Sequence, residues 1–144
     1  MISLRPVSPE DLPIFYEQQL DPLACQMADF KSRAEEAFMA HWAKIMQDES
    51  GLLRTVLDED GRVVGNMVSF LMEGQREVGY WIGREYWGRG IATRALAAFL
   101  SVETRRPLHA YVVKHNLASQ RVLQKCAFQL ETELEGALIF ILRE

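Results

Sequence analysis

The chain has 144 residues, 49% of them hydrophobic and 25% charged, with a formal net charge of -4. That length suits one domain with a real core. A slightly acidic chain with no Lys/Arg run points away from nucleic acid as partner, and no apolar stretch approaches the roughly 20 residues of a membrane span. The opening MISLRPVSPEDL has no signal-peptide core, because Arg, Pro and acids arrive too early, so the expectation is a cytoplasmic protein. Cys25 and Cys126 form no CxxC pair, and His41, His109 and His115 are scattered. No metal site is expected, and both thiols read as small apolar residues.

Residues 2–5 read as a first strand. Ser8-Pro9-Glu10-Asp11 opens a helix carrying Leu12, Phe15, Tyr16 and Leu20, which stops at Asp21-Pro22. Residues 23–30 fit either a helical turn or a loop. Residues 32–48 form a helix, with Ser32 and Glu35 matching a capping box and Ala34, Phe38, His41, Trp42 and Ile45 at helical spacing. Phe38 and Trp42 read as core packing or as the wall of a substrate groove. Residues 52–57 and 62–72 form a hairpin around Asp58-Glu59-Asp60-Gly61, where Gly65 marks a bulge or a close contact. Glu73-Gly74 turns the chain into a further strand over 77–82.

Residues 80–93, YWIGREYWGRGIAT, run from that strand through a loop carrying Gly88 and Gly90 into a helix predicted over 92–104. Its apolar face is Ala95, Leu96, Phe99, Leu100 and Val102. The first turn of a helix has unpaired N–H groups and partial positive charge, and glycines before it allow close approach. The stretch is therefore a site for a phosphate group. Arg105-Arg106-Pro107 ends the helix, with Arg105 read as a surface residue. Residues 108–114 form a strand at a separation that fits a parallel crossover. Asn116 caps a helix over 116–126, with Ser119 in its first turn. Residues 128–134 and 137–142 form a terminal hairpin. The order is that of a single mixed α/β domain.

That order resembles the GNAT superfamily of acetyl-CoA-dependent N-acetyltransferases. The motifs are YWGRGIAT and NLASQRVLQKCAF opening two helices, LRP-x-x-x-E-D-L at the start, and V-V-G and EVGYWIG on two strands. The wording is closest to the RimJ/RimL-like branch. The superfamily loop Q/R-x-x-G-x-G/A falls on residues 87–92: Gly90 and Ala92 match, and Trp87 replaces Gln or Arg. The resemblance implies an α+β fold over residues 1–144. Its central mixed sheet would be mostly antiparallel, with helices on both faces and splayed fourth and fifth strands. It implies acetyl-CoA as donor, coenzyme A as product and no metal. The backbone N–H groups of Gly88, Arg89, Gly90, Ile91, Ala92 and Thr93 would hold the pyrophosphate, and the Arg89 charge would assist. The backbone of Tyr80, Trp81 and Ile82 would pair with the pantetheine arm, and Asn116 and Ser119 would contact it.

The catalytic positions of many relatives are filled differently here. The Glu five residues before the motif Asn is Tyr111, and the Tyr seven residues after it is Leu123. Ser119 matches the acid proposed for the RimJ/RimL-like branch. Glu77 is the candidate base, offset by one residue from the Glu of other members; such an offset turns a side chain over unless a bulge intervenes. Tyr111 fits either a water chain or the core. The expected acceptor is a primary amine, on a small molecule or a protein N-terminus, with the protein a monomer or homodimer. The alternative is a non-catalytic module that binds and senses acyl-CoA.

Overall fold

The computed structural model describes residues 1–144. One seven-stranded sheet runs in the order β1-β2-β3-β4-β5-β7-β6. β1 (Ser3–Pro6), β2 (Leu52–Leu57), β3 (Val63–Met72) and β4 (Gln75–Ile82) pair antiparallel in sequence. β5 (Leu108–Val113) lies parallel to β4, and β7 (Ala137–Leu142) joins β5 to the edge strand β6 (Gln129–Glu133). The helices are α1 (Leu12–Gln19), α2 (Pro22–Ala28), α3 (Glu35–Gln47), α4 (Ile91–Leu100) and α5 (Leu117–Lys125). This is the mixed, mostly antiparallel sheet expected from the sequence.

Strands β3 and β4 pair without interruption from Met72↔Gln75 to Gly65↔Ile82. β4 and β5 pair at one position only, Glu77↔His109. Beyond that rung toward their C-terminal ends, the strands share no ladder. The sheet is therefore split from the rung outward.

The two faces are buried by different helices. Val78, Ile82, Leu108, Ala110 and Val112 join Ile91, Ala95, Leu96 and Phe99 of α4 and Leu123 of α5 in the main core. On the opposite face Phe15, Phe38 and Trp42 pack as a second cluster against Leu53, Val63 and Val68. The rings of Phe15 and Trp42 lie 5.1 Å apart. Phe38 and Trp42 are thus core residues, which overturns the groove-wall alternative.

Several expected boundaries shift for identifiable reasons. Residues 22–28 are helical: Pro22 occupies the first turn and Asp21 accepts from the Ala24 N–H at 3.3 Å. The Ser32/Glu35 capping box does not form, and Ala34 is the N-cap of α3. The side chain of buried Gln19 instead grips the Arg33 backbone, accepting its N–H at 2.8 Å and donating to its carbonyl at 3.1 Å. That holds the chain extended where the box would need a turn. α4 ends at Leu100, and Val102 is exposed outside it. Buried Glu103 turns inward and takes the Arg105 Nη2 at 2.8 Å and Nε at 3.0 Å. Arg105 also donates to the Ser50 carbonyl at 2.9 Å, so it is a structural cross-link and not the bare surface residue expected.

Three buried residues, Asp11, Glu103 and Gly65, brace the fold. Asp11 accepts from both terminal nitrogens of Arg5 at 2.7 and 2.8 Å, from the Ser8 N–H at 2.9 Å and from the Thr55 hydroxyl at 2.7 Å. Burial by itself would raise this carboxyl; the Arg5, Ser8 and Thr55 hydrogen bonds reverse that and hold it at about 2. Glu103 is likewise held at about 2, its burial outweighed chiefly by Arg105. Gly65 lies so close to β4 that a Cβ there would stand 2.1 Å from the Trp81 carbonyl oxygen.

Gly65→Ala is expected to lose about 3 kcal/mol of stability in urea unfolding, because backbone and not a flexible side chain blocks the new methyl. Asp11→Ala is expected to cost about 3 kcal/mol, since it strips a buried pair of one partner. Both depressed carboxyls stabilise the fold fully above their ordinary values. Wild-type stability should fall as pH drops from about 4 toward 2, and Asp11→Ala should flatten that fall in a pH series of thermal melts.

Candidate active site

The split sheet opens into two joined spaces. A cavity of about 280 Å³ lies among α2, the end of β4, residues 86–93 and the start of α5. A narrower cleft of about 140 Å³ lies between β4 and β5. Ala28, Tyr80, Asn116 and Ser119 line both. α2 bridges the opening. Asp21 at its start pairs with Arg84 beyond β4 at 2.7 Å, and the Gln26 carbonyl meets His115 Nε2 beyond β5 at 3.0 Å.

At one end of the cavity, Gly88 and Gly90 adopt φ of 77° and 73°, a left-handed conformation that disfavours side chains. A Cβ on either would meet no protein atom within 4 Å, so the glycines supply backbone shape. Gly90 is the N-cap of α4, and the first helical bond runs from the Arg94 N–H to the Gly90 carbonyl at 3.2 Å. The N–H groups of Ile91, Ala92 and Thr93 precede that bond and have no partner in the helix. Arg94 Nη2 donates to the Arg89 carbonyl at 2.6 Å and braces the loop, while the Arg89 guanidinium lies 5.9 Å from the Tyr86 ring centre. Two arginines and a helix N-terminus make this end positive.

Along β4 the expectation divides. The Gly83 N–H bonds to the Val64 carbonyl at 2.9 Å. Antiparallel pairing alternates, so Gly83 and Trp81 direct their backbone to β3, and Tyr80 and Ile82 direct theirs toward β5. Trp81 is corrected on this point: its backbone is committed to Asn66, its indole N–H donates to Gln18 at 3.2 Å, and its ring packs on Phe30. The Ile82 carbonyl is also taken, by the Trp87 indole N–H at 2.9 Å. Tyr80 therefore presents the open backbone edge, with the Ile82 N–H beside it.

The Asn116 Oδ1 caps α5 by accepting the Ser119 N–H at 3.2 Å, which leaves its amide NH2 for a ligand in the cavity. The Ser119 hydroxyl lies 2.6 Å from the Tyr80 hydroxyl. Burial pushes the Tyr80 phenol up to about 12, and the bond to Ser119 partly offsets it. Sequence reasoning used Tyr80 for its backbone alone and missed this hydroxyl pair, which joins residues far apart in the chain.

On the opposite face, β4 carries Glu77, Gly79 and Trp81. No register shift interrupts the β3–β4 pairing, so Glu77 faces away from α4 and α5. Burial raises its carboxyl, the neighbouring His109 lowers it, and Glu73 raises it again. Tyr111 is 60% exposed, which removes the core alternative, and it lines the narrow cleft. His109 is 6% exposed, with Nε2 3.4 Å from Glu131. His109 and Glu131 were not legible as site residues: strand pairing sets His109 beside Glu77, and Glu131 reaches His109 from β6, across the intervening β7. His41 lines neither space. No three His, Cys, Asp or Glu side chains come together as a metal site. No helix is long and apolar enough to cross a membrane.

Comparison with known proteins agrees with this geometry. An N-acetyltransferase p20 of Bacillus licheniformis, itself uncharacterized, is 24% identical over 144 aligned residues, covering 90% of this chain and 80% of that one. Spermidine N-acetyltransferase from Vibrio cholerae, solved with coenzyme A and spermine, superposes with a TM-score of 0.82 at 14% identity, covering 97% of this chain and 92% of that one. An aminoglycoside acetyltransferase solved with coenzyme A and kanamycin gives 0.84 at 14% identity, covering 99% and 95%. The profile of the acetyltransferase (GNAT) domain matches residues 2–129, and on that match the chain belongs to the GNAT acetyltransferase family.

Proposed function

We propose that the protein is an acetyl-CoA-dependent N-acetyltransferase of the RimJ/RimL-like type. It would move the acetyl group to a primary amine by direct attack on the thioester. The observation that carries this reading is the single rung between β4 and β5. It leaves an open strand edge beside a helix N-terminus, and the two together suit an extended chain ending in phosphates. The donor set fits coenzyme A: unpaired N–H groups over 91–93, with Gly88, Arg89 and Gly90 before them, for the pyrophosphate. Tyr80, the Ile82 N–H and the Asn116 amide suit the pantetheine amides. Bound there, the donor supplies an activated acetyl group.

The chain's own groups meet the remaining needs. An amine must lose a proton before it attacks, and a departing thiolate must gain one. Ser119, on the α5 side, is the assigned acid, with the Tyr80 hydroxyl behind it as the proton source at 2.6 Å. Glu77, on the other face, is the assigned base; burial raises its carboxyl, which makes it a better proton acceptor than an exposed one. Tyr111 offers an exposed aromatic wall on that same side of the cleft. The acceptor is a small amine. Solved relatives that carry spermine and kanamycin supply the panel to test.

Incubation with acetyl-CoA and spermidine, kanamycin or a peptide with a free N-terminus should release thiol with at least one of them. Binding of acetyl-CoA with no turnover on any amine would favour an acyl-CoA sensor. Gly90→Val should weaken coenzyme A binding by more than tenfold in calorimetry, because a β-branched residue resists φ of 73°; Glu59→Gln, on the distant hairpin turn, should not. Ser119→Ala should lower kcat about 100-fold, and Tyr80→Phe about tenfold, with coenzyme A affinity little changed.

A further inference from the structure

We propose that His109 is the reservoir for the amine's proton, reached through Glu77 and poised by Glu131. This rests on the acetyl-transfer reading. The place comes first: Glu77 and His109 form the last rung before the strands part, so both stand at the vertex of the cleft, on the face opposite Ser119. The two side chains lie side by side on that face, and an acceptor entering there meets half-buried Glu77 before His109, which is 6% exposed.

The state of the imidazole follows from its neighbours. Nε2 faces the Glu131 carboxylate at 3.4 Å, a contact that suits a hydrogen on Nε2. Nδ1 is then a bare lone pair, and it is buried with no protein partner. A buried acceptor without a partner is uncommon and points to a use. Glu131 is placed by a β-bulge: the register jumps from Leu130↔Phe140 to Thr132↔Ile139, leaving Glu131 outside the ladder and turned to His109. The other charges around the pair are Arg143, 3.5 Å from Glu131, and Glu73, whose charge acts on Glu77. Tyr111 follows on β5.

The proton's route balances. The ammonium gives a proton to the Glu77 carboxylate and becomes the neutral nucleophile. Protonated Glu77 passes it through one water to His109 Nδ1, forming an imidazolium whose Nε2–H is held by Glu131. After the products leave, the proton returns through Glu77 to the water filling the cleft, and the ring recovers its starting tautomer. After attack the nitrogen sheds a second proton while Ser119 gives one to the departing thiolate; the second proton passes through water to the Tyr80–Ser119 pair and restores it, so the one net proton released is the one held on His109, and His109 and both carboxylates are regenerated.

The test compares wild type, His109→Gln and Glu131→Gln between pH 6 and 9.5 with the panel amine that turns over fastest. His109→Gln should lower kcat about 100-fold and erase one limb of the pH profile, with coenzyme A affinity within twofold of wild type. Glu131→Gln should lower kcat about tenfold and shift the nitrogen-15 resonances of His109. Independently of activity, nitrogen-15 shifts of wild-type His109 should show the Nε2–H tautomer. Turnover of His109→Gln within twofold of wild type across the range would overturn the proposal, as would an Nδ1–H tautomer. Should His109→Gln fail to fold, Glu131→Gln and the tautomer decide. A wild type with no turnover on any amine ends the acetyl-transfer reading itself, and the wild-type rate tells the two failures apart.

Discussion

Everything distinctive in this molecule depends on β4 and β5 meeting at one rung. Parallel neighbours in a continuous sheet satisfy their backbone groups along their whole length. Here the pairing stops at Glu77↔His109, so the open edge of β4 must find another partner. A bound chain of the right shape can supply it, and the fold holds that edge ready. α2 lies across the opening, and the loop over 83–90 delivers α4 with its N-terminus at the open end.

The split also separates two chemistries by face. On the α4 and α5 side lie the Tyr80–Ser119 hydroxyl pair and the amide of Asn116. On the other lie Glu77, His109, Tyr111 and Glu131. Period-two alternation along β4 and β5 puts neighbouring residues on opposite faces, so one strand serves both. A chain held within the split would be open to both faces at once, with carboxylates and an imidazole on one and hydroxyls on the other.

Buried polar links add to the apolar clusters in bracing the sheet. Asp11 ties β1, the first turn and β2 together, and Glu103 with Arg105 ties the end of α4 to Ser50. Gly65 brings β3 against β4 at a distance no side chain would allow. β4 itself is held from the side away from the cleft by its unbroken ladder with β3, while its other edge stays unpaired beyond Glu77.

Local sequence signals were enough for the element order apart from α2, for the turns, and for the glycine loop that leads over residues 88–90 into the N-terminus of α4. Those are local properties: hydrophobic periodicity, glycines and caps act over a few residues. Asn116 as cap and Gly65 as a close contact were legible for the same reason. The capping box at Ser32 was not, because Gln19 captures the Arg33 backbone from another helix. Tyr80 with Ser119, and His109 with Glu131, were decided by tertiary structure alone. Strand order and register, not sequence spacing, set which side chains meet, and a single bulge at Glu131 turns a surface carboxylate into a partner for a buried imidazole.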